Sequence, residues 1–203
     1  MTSRLAYARL DHIEDMMRLT VFIVGLCCTL AFLPCGLQPQ TLRTESASPA
    51  LTASDAVLAA WNEIGRKLVV MAEDFPESKY QFRATTAERT FQEQLLHVAG
   101  SNDLFTSVAL GKKPVDDESP AHFPTKAATV AYLKQSFADG AAAIRGKGTS
   151  GMMETVRDSE SGKLIPLSSL AYELIEHSGE HYGQLVVYYR VAHLVPPESR
   201  RKK

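Results

Sequence analysis

Apolar residues recur at spacings of three and four along most of the chain after residue 54, the period of a helix with one buried face. The first such stretch predicts a helix from about Ser54 to Asp74, with Ser54 as its N-cap. Its seam is Val57, Trp61, Ile64, Leu68, Met71 and Phe75. A second helix, roughly Thr86 to Leu110, carries Phe91, Leu95, Val98, Phe105 and Ala109 on one stripe and stops at Gly111. A loop with Pro114, Pro120 and Pro124 leads to a third helix starting near Thr125. That helix buries Val130, Leu133, Phe137 and Ile144 and is terminated by Gly146, Gly148 and Gly151. Between Gly151 and Pro166 two readings fit. Met153–Val156 and Lys163–Ile165 pair as a short hairpin around Ser161-Gly162, or the segment is a long loop. The fourth helix runs from about Leu167 to His193 and is closed by Val195-Pro196-Pro197. The expected architecture is all-α, an up-and-down four-helix bundle over residues 54–197, with a solvated, disordered basic tail at 198–203.

Residues 1–53 read differently. Leu19 to Leu33 is an uncharged apolar run of fifteen residues, short for a spanning helix at about 20 residues but right for the core of an export signal at roughly 7–15. Arg18 precedes the run, and Pro34, Cys35 and Gly36 end it. The acidic Asp11, Glu14 and Asp15 do not suit a signal's basic start, so the true start is expected at Met16 or Met17. Residues 1–37 are thus read as extension plus signal peptide and 38–53 as a linker. The expected location is periplasmic or extracellular, with membrane attachment only through an uncleaved signal anchor or a lipidated Cys35.

Composition narrows the function classes. The chain has 203 residues with Lys+Arg 22 against Asp+Glu 23, a net charge of −1. A nucleic-acid partner is not expected, since no basic face is available. The only cysteines, Cys27, Cys28 and Cys35, fall within the signal segment. A chain cut after Cys35 therefore has no disulfide, thiolate nucleophile or cysteine metal ligand.

The fourth helix carries the chemistry. Its seam reads Leu170, Leu174, His177, His181, Gln184, Tyr188 and Val191, apolar at the ends and polar in the middle. Buried polar groups are costly without partners. His177 and His181, four apart, leave one helix face about 6 Å apart along the axis and can share a metal ion. Two core-edge histidines hydrogen-bonded to their surroundings would give the same pattern. His97, midway along the second helix in Leu95-Leu96-His97-Val98-Ala99, offers a third ligand. Three protein ligands leave a position open, the arrangement of a catalytic site. Glu173 and Glu180 flank the pair as candidate general bases or acceptors for a ring N–H, and Gln184 as a further hydrogen-bonding partner. His12, His122 and His193 are placed wrongly to join them. Trp61, Phe91, Phe137, Tyr188 and Tyr189 are read as packing.

His97 within its apolar segment, followed by His177-Ser178-Gly179-Glu180-His181-Tyr182-Gly183-Gln184-Leu185 and the Val195-Pro196-Pro197 ending, resembles the DinB-like superfamily over residues 54–197. The resemblance implies a four-helix bundle with one long crossover connection and a metal triad at His97, His177 and His181. It implies a divalent ion, zinc first, with nickel or iron also suited to three neutral nitrogens. It implies two activities, hydrolysis of a small molecule by metal-activated water and metal-dependent thiol S-transfer. A reading of a different class is a non-catalytic bundle that binds a metal or a partner, and a homodimer is a further expectation. Low-molecular-weight thiols are cytoplasmic, so an export signal favours hydrolysis.

Overall fold

The computed structural model describes residues 50–113, 117–158 and 161–201. The signal segment, its cysteines and the Met16 or Met17 start lie outside these residues. Helix α1 spans Ala53–Asp74. Its cap is Thr52 rather than Ser54, because only Thr52 has a carboxylate three positions on. Thr52 Oγ1 accepts from the Asp55 N–H at 3.2 Å, and Asp55 Oδ2 accepts from the Thr52 N–H at 2.9 Å. Helix α2, Phe91–Ala109, begins five residues later than the periodicity predicts, at a second such box formed by Thr90 and Glu93. Upstream, the chain folds back so that the Phe82 and Tyr80 carbonyls accept the Phe91 and Gln92 N–H groups, at 2.9 and 3.0 Å. Those helix-end donors are thereby satisfied without another helical turn.

Helix α3 covers Lys126–Gly151. Gly148, at φ +57°, breaks its last turns, while the chain passes Gly146 without ending the helix. The ambiguous segment is a hairpin: β1 (Thr155–Arg157) pairs antiparallel with β2 (Leu164–Pro166), Val156 opposite Ile165. The chain at its base also starts α4 (Leu167–Val191), since the Glu154 and Met152 carbonyls accept the Leu167 and Ser168 N–H groups at 2.9 and 2.8 Å.

The four helices form one bundle in which α1 and α2 each pack against both α3 and α4. Consecutive helices α1 and α2 therefore stand diagonally across it, and residues 75–90 make the crossing. Trp61 anchors the α1–α3 contact: it is fully buried, donates from Nε1 to the Phe137 carbonyl at 2.9 Å, and leaves room only for glycine at Gly140. At the other end Phe75 stacks on Phe91, centroids 3.8 Å apart, with Tyr189 edge-on to Phe75.

The α4 seam drifts from the predicted line. Leu170, Leu174, His181 and Tyr188 are buried, but Gln184 is exposed and Val191 is 45% exposed. Leu185, Tyr189 and Ala192 face inward instead. A strict heptad falls behind a straight helix by about 20° per repeat, enough to turn the last seam positions outward. Within the expected solvated tail, Pro197–Ser199 makes a 3₁₀ turn. Glu198 pairs with Arg66 at 2.9 Å, and both Arg200 and Tyr189 bond to Asp74. Among the described residues no helix is long and apolar enough to cross a membrane.

Candidate metal centre

Packing of α2 against α4 brings three imidazoles to one point. His97 Nε2 lies 3.2 Å from His177 Nε2, which lies 3.1 Å from His181 Nε2. The three rings meet edge to face, with centroids 4.5–5.0 Å apart. One ligand atom from each falls within 4.8 Å of the others. With ion–nitrogen bonds of 2.0–2.1 Å, neighbouring ligands on a tetrahedral ion stand about 3.3 Å apart, so this donor set fits a single divalent cation. The i,i+4 spacing on α4 supplies two of the nitrogens locally. The third depends on His97 sitting on the side of α2 that meets α4.

His181 is nearly buried, and its pKa is pushed down to about 3. Burial is the main cause, followed by the neighbouring His177 and His97, while a hydrogen bond with Gln184 opposes the shift. The ring is therefore neutral at physiological pH, the form that ligates a metal. The outer nitrogens of two rings are engaged. His97 Nδ1 is 2.8 Å from Glu118 Oε1, and His181 Nδ1 is 2.6 Å from Gln94 Oε1.

A cavity of about 280 Å³ opens beside the triad, lined by His97 and His177 with Ser101, Leu104, Asp158, Leu170, Glu173 and Leu174. Glu173 thus stands on its wall, one turn before His177. Glu180 is exposed on α4 and does not line the cavity. Gln184 is exposed too and does not line the cavity; its one link to the site is a small upward influence on the His181 pKa. A larger groove of about 680 Å³ between α2 and α3, lined by Asp103, Ser107, Asp139 and Lys147 among others, includes none of the histidines.

His122 and His193 stand apart from the triad, as their positions predict. His122 pairs with Asp117 at 2.8 Å in an exposed loop. His193 holds φ +61° where α4 ends, the left-handed position of a helix stop. His12 lies outside the described residues. Two site residues escape the sequence reading. Gln94, three before His97 and 1% exposed, left a trace as a polar residue inside an apolar stripe. Glu118 left none, because it reaches His97 from the loop between α2 and α3.

A family profile described as the DinB superfamily matches residues 60–185. The chain belongs to the DinB superfamily. Solved structures that share its fold include the following two. A DinB-like protein from Bacillus cereus aligns with TM-score 0.60 at 17% identity, covering 70% of this chain and 95% of its own. YfiT from Bacillus subtilis, described as a probable metal-dependent hydrolase with an unusual four-helix bundle topology, aligns with TM-score 0.57 at 15% identity. That alignment covers 72% of this chain and 93% of YfiT. No curated protein matches. At these identities the likeness speaks to fold, and the superfamily assignment rests on the profile.

Proposed function

We propose that this DinB-superfamily protein is an exported metal-dependent hydrolase acting on a small molecule, with His97, His177 and His181 holding one divalent ion, zinc first. The observation that carries the reading is the cavity: two of the three histidines form part of its wall, so the metal position is reachable from outside. A site sealed by side chains would favour a structural role. Held by these three imidazoles, a divalent ion would supply Lewis-acid chemistry, making an attacking water more acidic.

The protein's own groups supply the rest. Glu173 is placed to accept a proton at its carboxylate from an attacking water, and Glu180, away from the cavity, is not. Leu104, Leu170 and Leu174 make an apolar wall that displaces water around the reacting atoms, and the Ser101 hydroxyl offers a polar contact. The volume is that of roughly nine waters, which suits a small substrate or one end of a larger one.

Elemental analysis of the purified protein, with and without His177→Ala, tests the metal. A ratio near one that collapses in the variant is expected, and no metal after reconstitution with zinc, nickel or iron overturns the reading. A screen of esters and amides against thiol plus electrophile tests the reaction. Turnover only with a thiol replaces hydrolysis by S-transfer.

A further inference from the structure

His97 and His181 each turn a second ring nitrogen away from the triad, toward an acceptor whose hydrogen-bonding direction is fixed by its chemistry. We infer that Glu118 and Gln94 are positioning residues that hold His97 and His181 as Nδ1–H tautomers and so aim both Nε2 lone pairs at one point. This rests on the metal-centre reading and adds the reason that the nitrogens face one another as ligands.

The His181 relay starts at a backbone carbonyl. The Arg89 carbonyl can only accept, so the Tyr188 hydroxyl bonded to it donates. The Tyr188 oxygen is then the acceptor for Gln94 Nε2, 3.4 Å away. That orients the Gln94 amide and turns its Oε1 to His181 Nδ1 at 2.6 Å. An amide oxygen also only accepts, so Nδ1 carries the hydrogen and Nε2 of the neutral ring carries the lone pair. Gln94, Tyr188 and His181 are all 5% exposed or less, which shields the relay from competing water.

The His97 relay has one step. Glu118 Oε1 lies 2.8 Å from Nδ1, and a carboxylate accepts only, so Nδ1 again donates. The two anchors differ in kind. Gln94 sits on α2 itself and offers an amide oxygen, whereas Glu118 brings a carboxylate oxygen from the loop between α2 and α3. Its side chain is 33% exposed, so replacing it spares the core.

Long-range ¹H–¹⁵N spectra of the metal-free full chain read each imidazole tautomer directly. His97 and His181 are expected as Nδ1–H, the minor form of free histidine. Zinc affinity, measured by competition with a chromophoric chelator, is expected to fall about 10–100-fold in Glu118→Ala. Glu118→Gln, whose amide oxygen still accepts from Nδ1, recovers most of that loss. An Nε2–H tautomer at either histidine overturns the inference, as does a Glu118→Ala affinity within about twofold of wild type. Failure of Glu118→Gln to recover affinity overturns hydrogen-bond direction as the cause. If the wild-type chain binds no zinc, the metal-centre reading falls instead, and the tautomer spectra still decide the relay.

Discussion

Burying His181 among two other imidazoles makes the metal-free protein sensitive to acid in a defined window. Its pKa falls from 6.5 to about 3 on folding. Between those values the unfolded chain protonates this ring and the folded chain does not, so the unfolded state binds more protons and stability rises with pH. The contribution is fully present above about pH 6.5 and drains away as pH falls toward 3. One proton over this window sets a ceiling of about 4–5 kcal/mol, of which about 2–3 kcal/mol falls between roughly pH 6 and pH 4. His181→Leu removes the titration and leaves the Gln94 oxygen short of a donor, a penalty independent of pH. Urea unfolding followed by circular dichroism, with chelator present, measures both proteins across the range. The wild-type stability minus that of the variant is expected to climb with pH by that amount and level off near neutrality. A flat difference would show that the ring is not held neutral by its surroundings, and the account of the site would fail. Added zinc should move the acid limb lower, because the ion and protons compete for the same nitrogens.

Gly140→Ala places a Cβ 2.2 Å from Trp61 Cζ2, so the indole must move and its 2.9 Å bond to the Phe137 carbonyl is strained. A stability loss of about 2–4 kcal/mol is expected in denaturant melts, and a loss under about 0.5 kcal/mol would contradict the packing described. Glu173→Gln is expected to leave zinc stoichiometry intact and cut turnover of a substrate found by screening about 100-fold or more. Glu180→Gln should leave both unchanged, and equal losses from the two variants would refute the assignment of the proton acceptor. Residues 16–53 fused to a reporter that works only outside the cytoplasm should yield an active reporter, whereas an inactive one would count against export.

The four helices and the two-histidine pair were legible in the one-dimensional pattern, because both are local. A period of 3.6 residues and a spacing of four place side chains on one helix face whatever surrounds them. His97 was legible as a third candidate for the same reason, as a polar residue in an apolar stripe. Helix starts were less so: a five-residue stretch before α2 kept a helical pattern but yielded to the Thr90–Glu93 box and the folded-back chain at Tyr80 and Phe82.

Tertiary packing alone decided the rest. The heptad line on α4 could not say that Gln184 and Val191 turn outward while Leu185 and Tyr189 turn in, since that depends on how a straight helix drifts against its neighbours. Nor could it rank Glu173 above Glu180, because only the cavity between α2, α4 and the hairpin distinguishes them. The acceptors behind the imidazoles show the limit most clearly. Gln94 reaches His181 across 87 positions. Glu118 reaches His97 from a loop whose path the periodicity does not record. Contacts of that kind are set by helix rotation and loop closure, and these are properties of the assembled bundle rather than of any segment within it.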